Sequence, residues 1–321
     1  MPRPPVQEIS QLAETARVLR THVIRMLAQA GSGHPGGSLS AADLVATLYF
    51  HTLNHDPANP TWPARDRLVL SKGHGVPVIY AALAVAGYFP VSELATLRQI
   101  NTRLQGHPDM RRCPGIEACT GSLGQGLSIG IGMALAGRWP EGRGIASAGD
   151  SRWPEGRGIA SAGDSHWQKQ AYRTFVLMSD GETNEGQTWE AAAFAGFHRL
   201  ANLTAILDAN KFQLDGATAD VLSMEPMGAK WQSFGWAVRE LDGHDLTQIV
   251  AALDWARTVS DRPTMLIAHT VKGKGVSFME HNNYFHGVAP TAEEAEWAVK
   301  ELTGQGKPPA EFLAKVKRGG K

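Results

Sequence analysis

The sequence has little cysteine and no excess of charge of either sign, and each absence excludes a class of protein. Its 321 residues include two cysteines, Cys113 and Cys119, which lack metal-ligand spacing partners and are too few for a disulfide framework. Lys plus Arg and Asp plus Glu both number 31, so no overall field favours nucleic acid or an acidic membrane surface. We interpret both cysteines as structural, in a protein of a reducing compartment.

Long apolar runs are also missing. No stretch approaches the 18 or more apolar residues of a membrane span, and the Pro-rich segment 1–7 has no apolar signal sequence. The sequence therefore predicts no membrane association and a cytoplasmic location. Hydrophobic residues make up 43% of the chain, which is enough for a sizeable core, and we expect residues 1–321 to form one domain.

Local patterns predict the fold. From Leu12 to Ala30 apolar residues recur at steps of four and three, which indicates a helix with Ser10 as its N-cap and a stop in the turn at 31–33. Apolar runs that alternate with helical patterns follow at 67–71, 174–178, 204–208, 237–241 and 265–270. This alternation predicts an α/β fold with a doubly wound, mostly parallel sheet and helices on both faces. Ligands of such sheets bind beyond the carboxyl ends of the strands.

One segment interrupts this pattern. Residues 138–151 and 152–165 are the same fourteen residues, RWPEGRGIASAGDS, in tandem. Two Gly-, Ser- and Arg-rich units cannot stack as a solenoid, so we expect a duplicated surface loop at about 138–172. A role as a lid or a partner-binding loop is the alternative.

The strongest chemical pattern lies at 174–210. An apolar run ends in Ser179-Asp180-Gly181, a helical stretch follows, and a second run ends in Ala209-Asn210. A strand-helix-strand crossover of this length returns the chain to the same edge of a parallel sheet, so Asp180 and Asn210 can converge. Carboxylate and amide oxygens suit Mg²⁺, which commonly binds through one or two protein groups plus substrate phosphates. The missing side chain of Gly181 lets the backbone approach a diphosphate.

These motifs resemble the thiamine diphosphate motif, and nearly the whole chain resembles the N-terminal part of transketolase. The matching segments are GSGHPGGSLSAADLVATLYF (31–50), DRLVLSKGHG (66–75), LQGHPDM (104–110), PGIEACTGSLGQGLSIGIGMALA (114–136), SDGETNEGQTWEAA (179–192), LDANKFQLDG (207–216) and TVKGKGVSFME (270–280). The resemblance implies an enzyme that uses thiamine diphosphate with Mg²⁺, or Ca²⁺ or Mn²⁺ in its place. Ser179 stands where the family often has Gly.

The resemblance assigns roles residue by residue. Asp180 and Asn210 would bind the metal through their side chains and Phe212 through its backbone carbonyl, while Gly181 and Asn210 would also contact the cofactor. Gly121 would lie against the cofactor, and Leu123 would contact the thiazolium ring.

Four histidines stand in Gly-rich or turn-flanked positions: His34, His74, His107 and His286. The resemblance implies that they line the cofactor and sugar channel, where they would bind ketose hydroxyls or the diphosphate and assist proton transfer. His74 would therefore also bind the cofactor. A fifth, His244 in DGHD, we interpret as a structural turn before a helix that begins near Asp245.

For two further pairs of residues, the sequence leaves two possible roles open. Glu185 and Glu190 lie near the start of the helix after Asp180, where they would compensate the helix dipole or, by resemblance, join a carboxylate network between two active sites, with Glu185 also at the cofactor. Lys272 and Lys274 are solvated loop charges or neutralise a phosphate.

The family's catalytic carboxylate lies in a second, pyrimidine-binding domain, and the sequence up to Lys321 has no counterpart of it. We expect that domain, with its activating glutamate, on a separate C-terminal subunit, together with two-fold self-association into a heterotetramer. The predicted function is transfer of a two-carbon ketol unit from a ketose phosphate to an aldose phosphate.

Two enzymatic alternatives and one of another class remain. The α chain of a 2-oxo acid dehydrogenase shares the D-G…N motif but lacks the SGHPGG and KGHG loops, and a deoxyxylulose phosphate synthase carries its pyrimidine domain in one long chain. A non-catalytic regulatory or binding remnant is the third possibility. The presence of Asp180, Asn210 and the four loop histidines argues against it.

Overall fold

A computed structural model describes residues 6–138 and 172–317, so the predicted tandem-repeat loop lies outside the described residues except at its two ends. The described strands form one sheet in the order β1-β2-β3-β5-β4, with every neighbouring pair parallel. They are β1 (Arg67–Leu70), β2 (Thr174–Ser179), β3 (Leu203–Ala209), β4 (Ala237–Asp242) and β5 (Thr264–His269). Each overlaps one of the five apolar runs, with ends that differ by at most one residue, which confirms the predicted parallel sheet.

Helices cover both faces of this sheet. They are α1 (Ile9–Ala30), α2 (Pro35–Ser40), α3 (Ala42–Thr47), α4 (Val76–Ala86), α5 (Gln125–Arg138), α6 (Gly186–Phe197), α7 (Thr218–Val221), α8 (Met227–Ser233), α9 (Leu246–Thr258), α10 (Ala292–Leu302) and α11 (Ala310–Leu313). Along β2, Phe175 and Leu177 pack into the core beneath α1, α4 and α9, whereas Val176 and Met178 pack into the core beneath α5, α6 and α8. This alternation buries β2 and β3 completely, as expected for the central strands of a parallel sheet.

The first helix begins one residue before the predicted N-cap. Glu8, not Ser10, is the N-cap residue, and its N–H donates to the side-chain oxygen of Gln11 at 2.9 Å. Ser10 is the second residue of the helix, because the extended backbone of Glu8 and the Gln11 side chain together close the end of the helix before it. The predicted stop is confirmed: Gly31 has φ 64° and ends the helix in the left-handed conformation.

The register of the strands sets the place of the site. Ser179 on β2 pairs with Asp208 on β3, and Asp208 pairs with Ala268 on β5. The residues that follow these positions therefore meet at one edge of the sheet, the carboxyl edge. Among residues 6–138 and 172–317, no helix combines the length and the hydrophobicity needed to cross a bilayer.

Candidate active site at the carboxyl edge of the sheet

Asp180 and Asn210 lie side by side at the ends of β2 and β3. Asp180 is 8% exposed and Asn210 is 5% exposed. One carboxylate oxygen of Asp180 accepts the N–H of Gly181 at 2.9 Å, and the other accepts the N–H of Lys211, the residue after Asn210, at 2.6 Å. The crossover through α6 thus brings the two loops into contact, as the thirty-residue spacing predicts.

The surroundings of Asp180 disfavour its charge. Burial and the neighbouring Asp208 carboxylate raise the pKa of Asp180 to about 7, although the two backbone N–H donors and Lys72 oppose the rise. A divalent cation at this position would supply the missing positive charge. The ionised form of Asp180 would therefore be more stable with a metal ion bound beside it than without one.

The loop after Asn210 is tightly closed. Phe212 donates its N–H to the amide oxygen of Asn210 at 3.1 Å and pairs with Ala217 in an isolated antiparallel bridge, while Lys211 has φ 69°. Among the described residues, no three His, Cys, Asp or Glu side chains form a metal-binding group. A cation here would depend on one carboxylate, an amide oxygen, a backbone carbonyl and outside oxygens such as phosphate, which is a donor set that suits Mg²⁺.

Gly181 begins a short 3₁₀ turn, Gly181–Asn184, that precedes α6. A Cβ at this position would lie 2.7 Å from the Cβ of Gln213, so the glycine lets the two loops pack together. A packing role for this glycine is therefore visible, and the predicted contact with a diphosphate stays a prediction.

A buried charge network that the sequence did not reveal lies beneath the two loops. Asp208 and Lys72 are both 0% exposed and form an ion pair, and Lys72 also donates to the carbonyl of Gly37 at 2.8 Å. Burial raises the pKa of Asp208, but Lys72 and the hydroxyls of Thr270 and Ser40 outweigh it and hold the pKa below its usual value. The network thus keeps an ionised carboxylate in the interior.

The four loop histidines form one cluster at this edge of the sheet. The first and the last of them, His34 and His286, are 252 residues apart in the sequence. The ring centroid of His34 lies 5.3 Å from that of His74, 6.4 Å from that of His107 and 6.0 Å from that of His286. The rings of His74 and His286 stack at 5.4 Å. The structure therefore brings together all four histidines that the sequence singled out.

The histidine cluster is neutral at physiological pH. Burial is the largest cause in each case: it lowers the pKa of His34 to about 4 and that of His286 to about 3, with further contributions from neighbouring cations. The pKa of His74 falls well below its usual value and that of His107 also falls. Neutral imidazoles can both donate and accept hydrogen bonds, so the cluster is suited to bind hydroxyl groups.

One buried atom of this cluster has no hydrogen-bond partner among the described residues. The Nδ1 atom of His34 is buried and has no hydrogen-bond partner in the part of the chain that the structure describes. Buried polar atoms in folded proteins nearly always have a partner, and an exception calls for an explanation. The Nδ1 atom of His34 is such an exception within the described residues.

Lys272 is one of the two lysines for which the sequence left open whether the charge is solvated or neutralises a phosphate. It is 2% exposed, and its ammonium donates to the Oδ1 of Asn283 at 2.9 Å and contacts the Nδ1 of His286 at 2.6 Å. Burial lowers the pKa of Lys272 to about 7, against the raising effect of Asp180. Lys274 is only partly buried, and its ammonium lies 3.9 Å from the carboxylate of Glu280. Burial thus decides between the two lysines, and only Lys272 faces the site.

The loop at 121–124 is fixed by a buried carboxylate, Glu182, which was not among the predicted site residues. Glu182 is 0% exposed and accepts the N–H of Gly124 at 2.7 Å, the N–H of Ser179 at 3.2 Å and the hydroxyl of Ser71. Its position two residues after Asp180 was the one sequence feature that could have identified it.

Gly121 has φ 157°, and a Cβ there would lie 3.0 Å from the Cδ2 of His107. Gly121 therefore lies beside the histidine cluster.

Leu123, Glu185 and Glu190 are the remaining predicted site residues, and His244 is the histidine that was left out of the predicted site. Leu123 is half-buried, and its carbonyl accepts the amide of Gln187 at 2.8 Å. Glu185 and Glu190 are both exposed in the described chain, so their predicted carboxylate network stays a prediction. His244 lies in the turn before α9 as predicted, where its Nδ1 contacts Asp43 at 2.7 Å and its Nε2 accepts the N–H of Val271 at 2.8 Å.

Comparison with known proteins agrees with this geometry. A protein-family model, "Transketolase, thiamine diphosphate binding domain", matches residues 9–316. The chain is 43% identical over 295 residues to a 6-deoxy-6-sulfo-D-fructose transketolase subunit of Clostridium sp. (strain MSTE9), covering 92% of this chain and 97% of the relative. It is 37% identical over 284 residues to one of the subunits of the apulose-4-phosphate transketolase of Phocaeicola vulgatus, with 88% and 91% covered. The fold and these matches define a thiamine diphosphate-binding α/β protein.

Longer relatives and solved structures match in the same region. The chain is 35% identical to Homo sapiens transketolase over 303 residues, which cover 94% of this chain and 44% of that protein. A transketolase structure from Campylobacter jejuni superposes with a TM-score of 0.78 at 31% identity, covering 93% of this chain and 43% of that chain. The chain thus spans less than half the length of these single-chain relatives. It belongs to the transketolase family of enzymes and corresponds to the family's N-terminal, thiamine diphosphate-binding part.

Proposed function

We propose that this chain is the diphosphate- and metal-binding subunit of a split transketolase. The observation that carries the proposal is the meeting of the buried Asp180 and Asn210 loops with four neutral histidines at one edge of the sheet. Thiamine diphosphate, when bound, supplies the reactive carbon through which a two-carbon ketol unit passes from a ketose to an aldose. The residues of this chain bind, orient and exchange protons around it.

The metal and the diphosphate tail would be held at the two loops. Asp180, Asn210 and the carbonyl of Phe212 bind Mg²⁺, or Ca²⁺ or Mn²⁺ in its place, and Gly181 with Asn210 contacts the diphosphate. Lys272 is a buried amine whose hydrogen-bond partners are neutral side chains. Bound phosphates would favour its protonated form, and the ammonium would then provide their counter-charge. The other cofactor contacts follow the family pattern: His74, Gly121, Leu123 and Glu185.

The four histidines would act on the sugar. His34, His74, His107 and His286 carry no charge at neutral pH, so each can donate to or accept from a ketose hydroxyl without a strong field in the channel. In this role the cluster orients the donor sugar and exchanges protons with its hydroxyls.

A second polypeptide would complete the enzyme. The two relatives that this chain covers almost entirely are named as transketolase subunits, and the single-chain relatives are more than twice as long as the matched region. We propose a C-terminal partner subunit that brings the pyrimidine-binding domain and its activating glutamate, in a cytoplasmic two-fold heterotetramer. The proposed substrates are a ketose phosphate and an aldose phosphate. The Clostridium relative favours a second candidate donor, a ketose with a terminal sulfonate.

The metal site is tested by Asp180→Ala in the assembled protein. Loss of the buried carboxylate removes a metal ligand, so Mg²⁺-dependent binding of thiamine diphosphate should disappear or weaken by more than about 100-fold. Isothermal titration of thiamine diphosphate at several Mg²⁺ concentrations measures the change.

The matched control is Asp261→Ala. Asp261 is an exposed aspartate before β5, at the opposite edge of the sheet, and pairs with its neighbour Arg262. This control should bind the cofactor as the wild-type protein does. Unchanged Mg²⁺-dependent affinity in Asp180→Ala would move the metal site elsewhere.

A further inference from the structure

Asp208 is a buried carboxylate on which four separate parts of the chain converge. Its Oδ2 accepts the hydroxyl of Ser40 at 2.7 Å, the amide Nδ2 of Asn210 at 3.0 Å and the ammonium of Lys72, and its Oδ1 accepts the hydroxyl of Thr270. These donors come from the end of α2, the loop after β1, the end of β3 and the end of β5. The carboxylate therefore ties the metal loops to the segments that flank them.

The contact with Asn210 fixes which way that amide faces. An asparagine amide has nearly the same shape when its oxygen and nitrogen are exchanged, so its partners decide the orientation. Here the nitrogen faces the carboxylate of Asp208, and the oxygen faces the N–H of Phe212. The reverse orientation would set oxygen against carboxylate and nitrogen against N–H, which removes two hydrogen bonds and adds two repulsive contacts.

We propose that Asp208 is a positioning residue of the metal site: it holds the Asn210 oxygen toward the Phe212 loop, where the cation is to bind. This inference rests on the proposed function, because it assumes a cation between Asp180 and Asn210. In this role Asp208 is not itself a ligand of the cation. It acts through Asn210, as the outer partners of metal ligands commonly do.

A second role for Asp208, to neutralise Lys72, makes a single substitution hard to interpret. Removing either partner of a fully buried ion pair leaves the other charge uncompensated and destabilises the fold. Removing both together avoids this penalty, and replacing a buried pair by uncharged groups is often nearly neutral. The test therefore compares two variants that both lack the pair and differ in whether residue 208 offers an acceptor to Asn210 and to the hydroxyls of Ser40 and Thr270.

The first variant is Lys72→Met with Asp208→Asn, which removes the charges but keeps an amide oxygen that can receive the Asn210 nitrogen. The second is Lys72→Met with Asp208→Leu, which has the same branched shape as asparagine and no acceptor. Both are purified in the assembly that the full chain forms, and Mg²⁺-dependent binding of thiamine diphosphate is measured by calorimetry. Thermal unfolding without Mg²⁺ and cofactor reports how each variant changes the fold itself. Lys72→Met with Asp208→Ala replaces the leucine variant if that one does not fold.

We expect the asparagine variant to bind within a few-fold of wild type and the leucine or alanine variant to require about 10- to 100-fold more Mg²⁺. Equal Mg²⁺ requirements in the two variants would overturn the positioning role and leave Asp208 as the counter-ion of Lys72. If wild-type protein binds thiamine diphosphate without any dependence on Mg²⁺, or if Asp180→Ala binds as wild type does, the proposed metal site itself is wrong. The two failures are thus distinguishable.

Discussion

Single residues at this site carry charge states that their burial imposes. Three groups are displaced toward their neutral forms: burial raises the pKa of Asp180 to about 7 and lowers those of Lys272 and His34 to about 7 and about 4. Asp208, with its ammonium and hydroxyl donors, is driven the other way. A ligand that brings a dication and an anion together would stabilise the charged forms of Asp180 and Lys272, because neither group has an ion-pair partner within 4.0 Å among the described residues.

The depressed pKa values of His34 and His286 predict how stability depends on pH. In the unfolded chain a histidine binds a proton below its ordinary pKa of about 6.5, whereas the folded protein does not bind one until about pH 4 or about pH 3. Because the unfolded state binds more protons in this window, folded-state stability is complete above pH 6.5 and falls as the pH drops toward these values. We expect a loss of roughly 1 kcal/mol per histidine at pH 5, after allowing for solvent screening of the partly exposed rings.

Melting temperatures between pH 5 and pH 7.5 measure this dependence. The variant with His34→Gln and His286→Gln should lose less stability on acidification than the wild-type protein does. His269→Gln is the control, since the His269 ring is exposed at the end of β5 beside Glu240, and it should keep the wild-type slope. Parallel slopes for all three proteins would show that the two buried histidines are not responsible.

At the scale of elements, helix α5 is placed by its glycines. The helix runs from the 121–124 loop across the sheet, and Gly130 faces β2 so closely that a Cβ would overlap the Cγ2 of Val176. Gly132, two residues on, is exposed, and outside its own helix no heavy atom of the described residues lies within 4 Å of the position of a Cβ. One glycine therefore permits close packing between helix and sheet, and the other only lowers helix stability.

This contrast predicts opposite effects of the same substitution. Gly130→Ala should destabilise the protein by about 1–3 kcal/mol, because the added methyl group forces α5 away from β2. Gly132→Ala should stabilise it by about 0.4–1 kcal/mol through the smaller entropy of the unfolded chain. Urea unfolding midpoints give both values. Destabilisation of similar size by both substitutions would contradict the close packing of Gly130.

For the whole molecule, the proposed site is one half of an active centre. In the proposed function, the carboxyl edge supplies the groups for a metal, a diphosphate and sugar hydroxyls. The exposed Glu185 and Glu190 lie near the start of α6. Relatives named as subunits have nearly the length of this chain. Assembly therefore decides activity in the proposed function, since the activating glutamate would come from the partner.

A reconstitution experiment tests this view. The chain alone should show negligible ketol transfer, and addition of the C-terminal subunit should raise the rate by at least about 100-fold, in line with the contribution of a positioned proton-transfer group. A coupled assay of aldose formation, with light scattering for the mass of the complex, follows both events. Robust transfer by the chain alone would refute the split-enzyme proposal.

Some features of this protein follow from the sequence alone. The five strands, the stop of α1 at Gly31 and the approach of Asp180 to Asn210 were predictable, because each depends on a local run of residues or on the fixed geometry of one crossover. The four histidines were selected by their loop contexts and by family resemblance. Side-chain periodicity and turn chemistry act over a few residues, so the chain reveals them directly.

The tertiary structure decided the rest. It chose Lys272 over Lys274, placed Glu8 rather than Ser10 at the start of α1, and buried Lys72, Asp208 and Glu182, whose charges in sequence suggest surface positions. Burial of a charged side chain depends on donors that arrive from distant segments: Ser40 and Thr270 reach Asp208 from 168 and 62 residues away. Local sequence patterns do not predict contacts between residues so far apart in the chain. The site chemistry depends on them because only packing against those segments removes water from these charges and sets their pKa values.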